Sequence, residues 1–100
     1  GIEYSSAAIR QAQKLNLYNV EWFDGDVAVR LKQLPPRRGK GLIVVDPPRV
    51  GLSAETIAQM VRHKPLQILY VSCNPATFAR DAERLFEHGF TCHRVQGLDM

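Results

Sequence analysis

One hundred residues with 45% apolar and 23% charged side chains, seven Gly and six Pro make one ordinary globular domain and exclude intrinsic disorder, collagen and coiled coil. No apolar run approaches the roughly 18 residues that span a bilayer, and Gly1-Ile2-Glu3-Tyr4 is not a basic-then-apolar leader, so neither membrane insertion nor secretion is expected. Two cysteines, Cys73 and Cys92, match neither a secreted disulfide scaffold nor a zinc spacing, which predicts no metal in this segment and a reducing, cytoplasmic setting, while a net charge of +3 is compatible with phosphate contacts but selects nothing.

In chain order, Ser5 or Ser6 caps a helix over roughly 6–16, with Ala8, Ile9, Ala12 and Leu15 on one face. Val20-Glu21-Trp22-Phe23 follows as a short strand, and Asp24-Gly25-Asp26 turns the chain into a short helix ending near Leu34, with Asp26 as its N-cap. Pro35-Pro36-Arg37-Arg38-Gly39-Lys40 cannot continue that helix and reads as an exposed basic loop. Gly41-Leu42-Ile43-Val44-Val45-Asp46 is a continuous apolar run suited to a central parallel strand.

After the loop Pro47-Pro48-Arg49-Val50-Gly51, Ser53 caps a helix whose inner face is Ile57, Met60 and Val61, with Leu52 and Ile57 placed for a hydrophobic staple. Gln67 to Ser72 is the next strand, and Asn74-Pro75 starts a helix with an N-cap and a proline at its first position. Phe78, Ala82, Leu85 and Phe86 form that helix's apolar face, with Arg80, Asp81, Glu83 and Arg84 off it, and Gly89 sits at the C′ position. Phe90 to Val95 reads as a further strand. This alternation predicts an α/β fold with a mostly parallel sheet of about four strands and flanking helices, binding ligands at the carboxyl ends of the strands.

Two strand ends carry reactive groups, Asp46 before Pro47-Pro48-Arg49 and Cys73 in Ser72-Cys73-Asn74-Pro75, so a carboxylate and a thiol can share one cleft. Cys73 precedes a helix N-terminus, whose dipole favours the nucleophilic thiolate, although a buried structural cysteine suits the position equally well. Asp46 can be an acid capping the Pro-Pro turn, but prolines donate no backbone hydrogen bonds, which leaves its carboxylate open to a ligand, the favoured reading. Glu3 can accept from ribose hydroxyls or be an ordinary surface acid, and Asp26 can be a ligand or only a helix cap. Arg37, Arg38 and Lys40 could touch phosphates or form a solvated loop; His63, His88 and His93 are scattered over separate elements and make neither a metal site nor a triad.

Asp46-Pro47-Pro48-Arg49-Val50-Gly51 and Tyr70-Val71-Ser72-Cys73-Asn74-Pro75-Ala76-Thr77-Phe78-Ala79-Arg80-Asp81 closely resemble segments of the RNA (uracil-5-)methyltransferases that use S-adenosyl-L-methionine. Gly1-Ile2-Glu3 and Asn19 to Asp26 match the cofactor-binding segments of that family in order, so the resemblance covers essentially all the chain. It implies a Rossmann-like class I methyltransferase fold, incomplete, corresponding to part of the C-terminal catalytic domain. It further implies Cys73 as the nucleophile that adds to uracil C6, Asp46 where cofactor and uracil meet, and Glu3 and Asp26 as holders of the cofactor's ribose and adenine. The Ala76-Thr77 and Ala79-Arg80-Asp81 pattern looks closest to the members that act on 23S ribosomal RNA. The glycine-containing cofactor loop and the Glu that serves the family as general base are not in these residues, so the chain alone is not expected to catalyse.

Two other readings stay open. An adenine amino-methyltransferase carries Asp-Pro-Pro followed by an aromatic, where this chain has Arg49, and a noncatalytic RNA-contact module would need no complete site. RNA cytosine-5 methyltransferases place a cysteine after the proline of the motif at Asp46, where none lies here, and a cysteine hydrolase would need a His against Cys73.

Overall fold

The computed structural model describes residues 1–3, 5–15, 20–36 and 41–97. Among them, β1 (Ile2–Glu3), α1 (Ser6–Gln13), β2 (Phe23–Asp24), α2 (Val27–Gln33), β3 (Leu42–Val45), α3 (Ala54–Arg62), β4 (Gln67–Tyr70) and α4 (Pro75–Glu87) follow one another in the expected strand-helix alternation. The basic loop residues Arg37, Arg38 and Lys40, the tail Leu98-Asp99-Met100 and Asn19 lie outside the described residues.

Each helix starts where a side-chain acceptor replaces a missing backbone partner. Ser5 accepts from Ala8 N–H, Asp26 from Val29 N–H, Ser53 from Thr56 N–H and Asn74 from Ala76 N–H. Pro75 at the start of α4 gives up a donor the helix could not use there, and Gly89, with φ at +94°, lets the chain leave it. The end of α2 is closed from outside: the Arg62 guanidinium donates to the carbonyls of Leu31, Lys32 and Leu34 at 2.6, 3.2 and 2.9 Å, and the His63 ring adds a contact to Leu31 O at 2.7 Å. A cation thus meets the negative end of a helix and fixes α3 across it.

The sheet differs from the expectation. Instead of one sheet of about four strands there are two parallel pairs among the described residues, β1 with β2 and β3 with β4. Ile2 stands opposite Phe23, and Leu42 to Val45 stand opposite Gln67 to Tyr70. The apolar run at 42–45 is therefore not a central strand here. Among the described residues it pairs with β4 alone, and Leu42, Val44 and Leu69 are more than half exposed on the face opposite Tyr70. Phe90 to Val95 is not a strand either: residues 90–97 carry no regular element. A strand must share its ladder with a neighbour, and none of the described strands pairs with this segment.

The core is small, with Ile9, Ala28, Ile57, Met60 and Leu85 its buried apolar residues among those described. The inner face of α3 is as the spacing predicts, with Ile57 and Met60 wholly enclosed. On α4 the arrangement departs from the reading: Phe86 is half-exposed and Asp81, placed outside the apolar face by its charge, is completely buried. Tyr70 of β4 meets Phe78 edge-to-face at 5.2 Å, which seats α4 on that side of β3 and β4.

A core of this size has little reserve. Met60→Ala is expected to remove about 3 kcal/mol, seen as loss of most of the native helical signal at 25 °C or a large drop in the urea midpoint. Ser53→Ala is expected to remove about 1 kcal/mol in the same measurement.

Candidate active site

Parallel pairing brings the carboxyl ends of β3 and β4 to the same edge, and Val71 N–H extends the ladder by donating to Val45 O at 2.8 Å. Asp46 and the turn with Cys73 leave the sheet side by side. Asp46 is exposed, and so is the Cys73 thiol, which removes the alternative of a buried structural cysteine.

The turn around Cys73 is built by its neighbours. Ser72 Oγ accepts from Asn74 N–H at 3.1 Å and donates to Asn74 O at 2.9 Å, closing a tight loop with Cys73 at its tip. Asn74 divides its amide between two tasks: Oδ1 caps α4, while Nδ2 donates to Arg49 O at 3.2 Å. Thr77 Oγ1 donates to the same carbonyl at 3.0 Å. The loop after Asp46 is thereby tied to the start of the helix after Cys73.

That loop cannot hold itself. Pro47 and Pro48 have no backbone N–H, and Gly51 N–H to Pro48 O at 2.8 Å is the turn bond it makes internally. Its remaining partners come from α4 and its N-cap. Asp81 Oδ2 accepts from Leu52 N–H at 2.7 Å and from the Tyr70 hydroxyl at 2.6 Å, and Oδ1 accepts from Arg80 Nε and Nη2 at 3.2 and 3.1 Å. Arg80 Nη2 also donates to Val50 O at 2.6 Å. Gly51 has φ at +77°, and a Cβ there would lie 2.6 Å from both Arg80 Nη2 and Asp81 Oδ2, so only glycine suits the place.

Burial by itself raises the Asp81 pKa, but the hydrogen bonds from Leu52 N–H, the Tyr70 hydroxyl and Arg80, together with the Arg80 charge, outweigh it and hold the carboxyl below its ordinary value. Tyr70 is pushed upward, by burial first and then by its hydrogen bond to Asp81 and the charge there. Asp81 is therefore an anion and Tyr70 its neutral donor at physiological pH.

The acids at the first strand pair lie at the matching edge. Glu3 stands at the end of β1 opposite Asp24, and Asp26 follows β2 as the exposed cap of α2. Asp26 is thus a helix cap in fact. It also lines a cleft of about 240 Å3 with Gly25, Val27, Pro48, Gly51, Leu52, Ser53 and Thr56. That cleft joins the Asp26 turn to the loop following Asp46. It is smaller than the roughly 300–1,000 Å3 of pockets that enclose drug-sized ligands. Among the described residues no group of three or more His, Cys, Asp or Glu comes together that could hold a metal ion, and no helix is long and apolar enough to cross a membrane.

Asp81, Tyr70, Arg80, Thr77 and Gly51 were not singled out as site residues by the sequence reading. A signal for Asp81 was present: Phe78, Asp81 and Leu85 follow the i, i+3, i+7 spacing of one buried helix stripe.

The depressed folded-state pKa of Asp81 makes its contribution to stability fully present above the unfolded value near 4 and lost as pH falls through the lower folded value. Urea unfolding between pH 7 and pH 2 is expected to show that loss below about pH 4. Asp81→Asn is expected to cost about 1–3 kcal/mol at pH 7 and to shrink the acid-dependent part.

Residues 29–99 match the model of the tRNA (uracil-5-)methyltransferase family. Over its whole length the chain is similar to proteins described as uncharacterized RNA methyltransferases: 36% identical over 104 residues to one from Caldanaerobacter subterraneus, 41% over 105 residues to one from Protochlamydia amoebophila and 41% over 109 residues to one from Oceanobacillus iheyensis. It spans 23%, 24% and 23% of the length of these relatives, respectively.

Proposed function

The chain belongs to the tRNA (uracil-5-)methyltransferase family, and on that basis we propose that it is part of the catalytic domain of an S-adenosyl-L-methionine-dependent enzyme that methylates C5 of a uridine in RNA. The exposed Cys73 thiol, at the tip of a turn bonded to the loop that follows Asp46, is the observation that carries this reading. The pattern Ala76-Thr77 with Ala79-Arg80-Asp81 favours 23S ribosomal RNA as substrate, in the cytoplasm.

Uracil C5 is too weak a nucleophile to take a methyl group directly. The Cys73 thiolate adds to C6, and the electron pair of the C5–C6 double bond moves to C5 and O4 as an enolate. Bound S-adenosyl-L-methionine supplies an electrophilic methyl on a sulfonium. C5 of the enolate would take that methyl as its bond to the sulfonium sulfur breaks and the electron pair stays on sulfur as the neutral thioether; loss of the C5 proton to a base would then let the Cys73 thiolate leave and the double bond reform. Asp46, beside this turn and before two prolines that offer no competing donors, orients the uracil or the cofactor.

The cleft beside Asp26 is the candidate place for the adenosine end, with Asp26 as an acceptor there, and the family resemblance assigns Glu3, at the end of β1, to the ribose. One Asp26 oxygen caps α2, leaving the other to accept from a ligand.

With 5-fluorouridine-substituted RNA and the methyl donor, the intact protein is expected to give a denaturation-resistant adduct, because fluorine at C5 cannot leave as a proton. Mass spectrometry should find it in wild type and in Cys92→Ala, and not in Cys73→Ala. Methylation of RNA by a protein that never forms the adduct would replace this mechanism with direct transfer, as in an amino-methyltransferase. Asp26→Asn keeps the α2 cap but loses the charge, and is expected to weaken cofactor binding about tenfold by calorimetry without lowering helix content.

A further inference from the structure

We propose that Asp81 is the positioning residue of this site: its buried carboxylate, acting through Leu52 N–H and Arg80, holds the loop that begins at Asp46 in place against the turn that carries Cys73. The inference rests on the functional reading above and deepens it, because Asp81 lies one helical turn and more beyond the thiol and is completely enclosed, out of reach of any substrate.

The geometry makes Asp81 the hub of the loop's anchorage. Leu52 N–H is bonded to its Oδ2, and the guanidinium that takes Val50 O is itself oriented by Oδ1 through both Nε and Nη2. Tyr70, the last residue of β4, donates to the same Oδ2, so the carboxylate is fixed to the strand that leads into Cys73. Arg49 O, between Asp46 and these anchors, is held by Asn74 and Thr77 from the same helix. One face of α4 therefore sets the carbonyls of Arg49 and Val50 and the amide of Leu52, and a helix is rigid over that span. Gly51 supplies the close approach that lets Leu52 reach Asp81.

The alternative, that Asp81 only stabilises the fold, makes a different forecast: activity per folded molecule would not change. The two are separated by Asp81→Asn and Tyr70→Phe, the second removing one 2.6 Å hydrogen bond while keeping the carboxylate and its arginine. Tyr70→Phe decides the matter if Asp81→Asn does not fold. Amide hydrogen exchange on this chain is expected to show Leu52 exchanging at least tenfold faster in either folded variant, with the α3 amides much less affected. In the intact protein, the single-turnover rate of 5-fluorouridine adduct formation per folded molecule is expected to fall at least tenfold in Asp81→Asn and at least threefold in Tyr70→Phe, with RNA affinity within threefold of wild type.

An unchanged Leu52 exchange rate, or a released loop with an unchanged adduct rate, would overturn the proposal. Absence of any adduct from wild type would instead overturn the functional reading and with it a positioning role in that reaction, while the exchange comparison would still decide whether Asp81 clamps the loop.

Discussion

A carboxylate with no solvent exposure is costly unless its lone pairs are filled, and the arrangement at Asp81 meets that requirement with a backbone amide, a phenol and a guanidinium. No buried side-chain nitrogen or oxygen among the described residues lacks a partner. Each donor belongs to a different part of the molecule: Leu52 to the entry of α3, Tyr70 to the end of β4, Arg80 to α4 itself. Satisfying one anion therefore joins three elements that the small apolar core, centred on Ile57 and Met60, does not join with comparable directionality. Breaking any of these bonds leaves a buried charge short of a partner.

The same bonds decide where the reactive groups sit. Asp46 and Cys73 are exposed on loops, and loops hold position only as well as their backbone is bonded. Here a proline pair removes donors from the first loop, and α4 supplies what is missing through Asn74, Thr77, Arg80 and Asp81. The helix that follows the thiol thus also braces the carboxylate loop. Elsewhere the Asp26 turn shares a cleft with Pro48, Gly51 and Leu52 of the same loop.

Much of this was legible in the sequence where the physics is local. Ser5, Asp26, Ser53 and Asn74 announce helix starts because a cap needs only residues two or three positions away. Pro75 and Gly89 mark the limits of α4 for the same reason, and the strand cores at 42–45 and 67–70 follow from composition alone. The two strand-end motifs, with Asp46 and Cys73, were also visible, and both residues are exposed.

What could not be read there depends on partners distant in the chain. The apolar run at Leu42 looks central, but whether a strand is central is set by its neighbours, and among the described residues β3 pairs with β4 alone. Phe90 to Val95 has strand composition, but none of the described strands pairs with it and it carries no regular element. Asp81 appears as one more surface charge until Leu52, 29 positions away, and Tyr70, 11 positions away, are folded against it. Local sequence settled the caps, the helices and the chemical identity of the strand tips, because those depend on propensity and short-range hydrogen bonds. Strand pairing, the burial of a charge and the bracing of Asp46 against Cys73 came only with the fold, because each is a contact whose energy exists once distant segments have met.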